Sequence, residues 1–214
     1  MKKLLTILFL LLSTQVSAQD YNKGLKAYIA EDYPTAYEEW KSLAELGNVR
    51  AQNSLGGMYE YGNGVLKDYS EAVKWYQLSA EQGNARAQNN LGYMYQLGNG
   101  VLKDYSEAEK WYRLAAEQSY ANAQFNLGMI YLTGYGIPQD NVTAHMWHNI
   151  ASANRNKTAG EFRDELEAKM TAEDISKATA MASLKLQLWL ENVWLVVTRS
   201  VGIKLIYYFP PIDT

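Results

Sequence analysis

His145 and His148 are the only two histidines of the chain. They stand three apart on one predicted helix, a spacing that sets two imidazoles along one edge and would give a metal ion two ligands. No third ligand lies in the same segment. The chain also has no cysteine, which excludes thiolate metal sites, disulfides, a thiol nucleophile and a lipid-bearing cysteine. A second pattern, Gly62-x-Gly64 followed by Lys67, returns as Gly98-x-Gly100 followed by Lys103. It looks like a phosphate cradle but lacks the P-loop spacing and follows no strand. Loop glycines that permit positive φ account for it. The acids Glu38-Glu39 and Asp164-Glu165 are adjacent, so they point to different sides of a helix and read as solvated surface rather than an acid/base pair. No motif assembles a Ser-His-Asp set. The net charge of −3 supplies no basic surface for nucleic acid. These residues therefore predict no catalytic site, no metal and no cofactor.

The elements beneath them are organised by repetition. Ala51-Gln52-Asn53-Ser54-Leu55-Gly56 restarts as Ala87-Gln88-Asn89-Asn90-Leu91-Gly92 and again as Ala123-Gln124-Phe125-Asn126-Leu127-Gly128, each time 36 positions on. A fixed period of this length marks a repeat architecture. Within residues 49–84, Ala51, Leu55 and Tyr59 form one inward stripe of a first helix, with Gly56 on its packing side. A loop, Gly62 to Lys67, follows. Asp68, with Glu71 three residues on, has the spacing of a capping box that starts a second helix. Ala72, Trp75, Tyr76 and Ala80 supply that helix's buried side, and Gly83 ends it. Residues 85–120 repeat this almost letter for letter. Residues 121–154 diverge more, with Trp147 at the place of Trp111 and His148 at the place of Tyr112. His145 falls opposite Glu109, which reads as an exposed place. The recurring Trp and Tyr residues are expected in the core rather than on a carbohydrate platform.

Flanking segments complete the plan. Lys2 and Lys3, the apolar run Leu4 to Leu12 and Val16-Ser17-Ala18 make residues 1–18 a signal peptide cleaved after Ala18. An uncleaved anchor is the alternative, and the run is short for a membrane span. Periplasmic or secreted location follows, and loss of the two lysines takes the net charge from −3 to −5. Residues 19–48 are a partial first unit, with Gly24, Leu25, Tyr28 and Ile29 inward on Tyr21 to Glu31, and with Ala36, Trp40, Leu43 and Ala44 inward on the next helix. Residues 155–185 read as capping helices, Thr158 to Met170 and one starting at Thr171. Residues 186–214 are apolar, helical to about Asn192 and strand-like or irregular beyond. Three readings stay open for that tail: docked on the stack, poorly ordered or frame-shifted, or lying on a membrane surface. Glu191, Arg199 and Lys204 argue against a membrane span.

The pattern Ala-x-x-x-Leu-Gly-x-x-Tyr, a glycine-rich loop, then Asp-Tyr-x-x-Ala-x-x-Trp-Tyr-x-x-Ala resembles the Sel-one-like repeat (SLR) family, relatives of the tetratricopeptide repeat. The match covers residues 49–154, and the run from Arg163 to Ala178 resembles the closing helices that follow such repeats. The resemblance implies an all-α fold, an α/α right-handed superhelical solenoid of antiparallel helix pairs that acts as a protein-interaction scaffold. Some cysteine-rich secreted relatives bind or hydrolyse β-lactams. This chain lacks those cysteines, so that activity is the alternative function and the chain is read as a non-enzyme.

Positions that change between copies point to a partner. One row on the first helices reads Asn53, Gly57, Glu60, then Asn89, Tyr93, Gln96, then Phe125, Met129, Leu132. Residues that stack the units should recur, whereas residues freed from stacking can drift. First helices line the concave side of such solenoids. These nine positions are the candidate surface for a protein or extended peptide segment that is polar at one end and apolar at the other. Drift on an unused face is the competing account, and a glycan-binding envelope factor is a further alternative. The mature chain is expected to be a monomer.

Overall fold

The computed structural model describes residues 21–201. The leader expected at 1–18 and the tail beyond residue 201 lie outside them. Among the described residues every regular element is a helix: α1 (21–29), α2 (Tyr33–Glu45), α3 (Val49–Tyr61), α4 (Tyr69–Glu81), α5 (Ala85–Leu97), α6 (Tyr105–Glu117), α7 (Ala121–Thr133), α8 (Asn141–Ala153), α9 (Lys157–Glu167) and α10 (Ala172–Val201). Consecutive helices pack on one another from α2 to α9, and α10 folds back on α8.

Local chemistry fixes each boundary. Asn48, Asn84 and Asn156 cap α3, α5 and α9, each side chain accepting from backbone N–H groups of the first turn. Tyr120 stands at that place before α7 and makes no side-chain cap. Asp68 and Asp104 accept from the amides of Ser70 and Glu71, and of Ser106 and Glu107. The reciprocal half of the expected capping box is absent. The Asp68 amide donates to the Tyr59 carbonyl at 2.9 Å, and Glu71 pairs with Lys74 at 2.5 Å. The bond to Tyr59 closes the loop back onto the first helix, so the aspartate amide has no need of Glu71.

The repeating glycines permit close approach. A Cβ at Gly56, Gly92 or Gly128 would stand 2.5, 2.9 or 2.8 Å from the ring of Tyr76, Tyr112 or His148. Each second helix thus lays a flat ring on a bare patch of its partner. The second residue after each second helix is left-handed: Gly47 and Gly83, then Ser119 at φ 63° and Arg155 at φ 70°. A side chain in this region costs about 1–2 kcal/mol. Ser119→Gly is therefore expected to raise stability by about 1 kcal/mol. Denaturant unfolding of the full chain checks this, and a neutral or negative change would contradict it.

Two junction devices join the units. Gln52, Gln88 and Gln124 are buried and donate to the carbonyls of Ala44, Ala80 and Ala116 at 3.2, 3.1 and 3.0 Å. Their side-chain oxygens accept from Gln82, Gln118 and Asn154 at 2.7, 2.7 and 2.9 Å. Gly64 and Gly136 bring each loop against Tyr33 and Tyr105 of the preceding unit's second helix. These glycines serve the stack.

Three expectations are corrected. Ile29 is exposed rather than inward. Helix α9 ends at Glu167, before Met170. Helix α10 does not turn irregular after Asn192 but continues to Val201, crossing the boundary set at residue 185. Thr171 caps it, accepting from the Asp174 amide at 3.1 Å and donating to the Asp174 carboxylate at 2.9 Å. Ala178 and Ala182 are buried, Met181, Leu186 and Trp189 pack on the core of the third unit, and Lys185 lies 4.9 Å over the Trp147 ring. No glycine or proline interrupts the helix before Gly202, so the β-branched residues near its end do not break it.

Candidate functional site

The nine candidate positions fall into three rows with different surroundings. Asn53, Asn89 and Phe125 form the first. Each meets a residue 37 positions on, in the next unit's first helix. Asn90 donates its side-chain amide to Asn53 at 3.3 Å, Asn126 donates to Asn89 at 3.0 Å, and Phe125 packs edge-on against Phe162 at 5.5 Å between ring centres. The row drifts as matched pairs, amide on amide and then ring on ring. It is not freed from stacking, which corrects that premise.

The second row is Glu60, Gln96 and Leu132. Glu60 accepts from the Tyr76 hydroxyl at 2.5 Å and Gln96 from the Tyr112 hydroxyl at 2.7 Å. Burial, followed by the neighbouring Glu60 carboxylate, pushes the Tyr76 hydroxyl pKa up. Burial, with a smaller effect from Tyr93, does the same for Tyr112. In the third unit the ring is His148, which has no hydroxyl, and position 132 is leucine. Position 60 and its equivalents therefore follow the ring 16 residues on.

Gly57, Tyr93 and Met129 form the third row. A Cβ at Gly57 would meet only the Tyr76 hydroxyl, at 3.7 Å. Tyr93 is 42% exposed, and Met129 is half-buried. This row is the part of the candidate surface least engaged by the stack.

The histidines sit where sequence alignment did not put both of them. His145 was expected at an exposed place, yet it is 0% exposed. Helices α9 and α10 both pack on α8, and the His145 Nε2 lies 2.8 Å from a Glu167 carboxylate oxygen. Its counterpart Glu109 is itself half-buried, held by Arg113 and by the Tyr131 hydroxyl at 3.1 Å. His148 takes the tyrosine place as expected. It is also 0% exposed, with Phe125 at 5.4 Å and Phe162 at 5.7 Å between ring centres. Neither His148 nitrogen has a hydrogen-bond partner. Burial, and then the nearby His145, lower its pKa from 6.5 to about 4. Among the described residues no group of three or more His, Cys, Asp or Glu side chains is placed to hold a metal ion.

Helix pairs stacked in one direction with a continuous row of first helices define an all-α helical-repeat solenoid. A family model described as Sel1 repeat matches residues 49–84, 85–120 and 121–156. The chain belongs to the Sel1 repeat family, whose repeats mediate protein interactions and are generally non-enzymatic. Among solved structures it is similar to a Sel1 repeat protein from Oxalobacter formigenes, 38% identical with a TM-score of 0.60. That match covers 64% of this chain and 56% of the other. It is also similar to c5321, described as a protective antigen present in uropathogenic Escherichia coli strains displaying an SLR fold, 29% identical with a TM-score of 0.50. There the match covers 84% of this chain and 46% of the other. This chain thus spans little more than half of one relative and less than half of the second. No curated protein matches it. Among the described residues no helix is long and apolar enough to cross a membrane.

Proposed function

We propose that this protein is a scaffold of the bacterial envelope or exterior, holding an extended segment of another protein along the first helices α3, α5 and α7. The observation that carries the reading is the Gly57, Tyr93, Met129 row. It changes side chain in every unit while the stacking positions beside it keep matched partners. Tyrosine suits such a place, since a rigid, amphipathic ring adds contact area at small entropic cost. The face passes from amides at Asn53 and Asn89 to rings and apolar chains at Phe125, Met129 and Leu132. A segment polar at one end and apolar at the other fits that order. The leader expected from the sequence at residues 1–18 supports export to the periplasm or beyond.

The test is affinity capture from envelope extract with the wild type and with Tyr93→Ala plus Met129→Ala. The variant is expected to lose the captured species while keeping its helical content. Phe125 is unsuitable for this purpose, because it packs on His148 and Phe162. Capture that is indifferent to both substitutions would overturn the reading.

A further inference from the structure

We propose that the first full unit carries a binding recess for a cationic side chain, the guanidinium or ammonium of a basic residue in the partner segment, with Glu60 as its anion. The inference rests on the scaffold reading and gives the polar end of the bound segment a chemical identity.

Glu60 is 9% exposed, and among the described residues it has no ion-pair partner: it accepts from the Tyr76 hydroxyl at 2.5 Å. A carboxylate buried to that degree is costly without a compensating positive charge. Its surroundings are tyrosine hydroxyls rather than cations. Tyr61 is 67% exposed. Desolvation, and then the Glu60 carboxylate with smaller effects from Tyr93 and Tyr28, raise the Tyr61 pKa. Tyr28 is fixed near Tyr61 by Asn63, whose side-chain amide donates to its hydroxyl at 2.8 Å. Glu60 thus lies beside the exposed Tyr61, and both a carboxylate and a tyrosine ring face attract a cation.

Comparison of the units makes the recess particular to this one. At the equivalent places the second unit has Tyr93 and Gln96, and the third has Met129 and Leu132. Only the first full unit pairs an anion at the base, Glu60, with a missing side chain beside it, Gly57. A Cβ at Gly57 would stand 3.7 Å from the Tyr76 hydroxyl with no other such neighbour within 4 Å, so a side chain there would lie over the hydroxyl that Glu60 holds. Fold maintenance alone does not require the charge, since Gln96 accepts from Tyr112 with the same geometry.

Titration of the full, isotope-labelled chain with Nα-acetyl-arginine-N-methylamide, followed by amide chemical shifts, tests the proposal. Its citrulline counterpart, equal in shape but neutral, is the control. Saturable shifts at Gly57 to Tyr61 are expected, with the arginine compound bound about tenfold more tightly than the citrulline one. Glu60→Gln, which copies the second unit, should remove that preference. Gly57→Tyr, which keeps the carboxylate and fills the approach, should remove binding. The proposal is overturned by absence of saturable shifts at these residues, by equal affinities, by a preference that survives Glu60→Gln, or by binding that survives Gly57→Tyr. A silent titration beside Tyr93-dependent capture would overturn the recess alone. Capture indifferent to Tyr93 would overturn the scaffold.

Discussion

Leu91→Ala is expected to lower the free energy of unfolding by about 2–5 kcal/mol, the range for removing a buried leucine and leaving a cavity. Leu91 is 0% exposed and lies in the cluster of Ala72, Val73, Tyr76, Ala80, Ala87 and Met94. Its helix, α5, packs on α4 before it and α6 after it. In a stacked array, stability sums unit terms and neighbour terms, so a hole in the middle unit weakens more than its own helix pair. The neighbouring rings cannot refill it easily, because Tyr76 and Tyr112 are already pressed on Gly56 and Gly92. Leu102→Ala provides the contrast: Leu102 is 91% exposed, and its loss should change stability by no more than about 0.5 kcal/mol. Urea unfolding followed by far-UV circular dichroism measures both. A Leu91→Ala cost below that of Leu102→Ala would refute this account of the core.

Acid should loosen the third unit through His148. Its folded-state pKa, about 4, lies below the ordinary 6.5, so the unfolded chain binds the proton more readily. Stability from keeping the ring neutral is therefore complete above pH 6.5 and is lost as pH falls from 6.5 toward 4. At about 1.4 kcal/mol per unit of difference the full loss is on the order of 3 kcal/mol. The protonated ring would find no acceptor: neither nitrogen has a partner, Phe125 and Phe162 flank it, and Leu132 stands at the acceptor's place. Asp140, partly desolvated but held below its usual pKa by hydrogen bonds from Thr143, loses its contribution at still lower pH. The two windows are thus distinct. Restoring the second unit's pair, with Leu132→Gln and His148→Tyr together, should flatten the loss between pH 6.5 and 4. Unfolding curves across that range decide it, and identical acid profiles for variant and wild type would remove His148 as the cause.

Much of this architecture was legible because it is written three times. The period, the glycines on the packing side of the first helices, the aspartate caps and the histidine at a tyrosine place all follow from aligning copies. What the alignment hid was contact across units. Asn53 with Asn90, Asn89 with Asn126 and Phe125 with Phe162 are 37 apart, one position off the period, so comparing like with like passes over them. The buried glutamines at 52, 88 and 124 were overlooked for another reason: a recurring polar residue looks like surface until its carbonyl partner is in view. His145 was misplaced because its equivalents face another repeat, whereas α9 and α10 close over α8. The end of α10 was misread because local strand preference yields to a helix that packs on a ready core.

Those glutamines carry a consequence beyond stability. The same amide closes the junction after α2, after α4 and after α6. A unit therefore offers at its far edge the fitting that it accepts at its near edge. Whole units can be duplicated or deleted without inventing a new seam, so the number of copies is an adjustable dimension. The reach of the protein can evolve by counting, while the chemistry of each seam stays as it was.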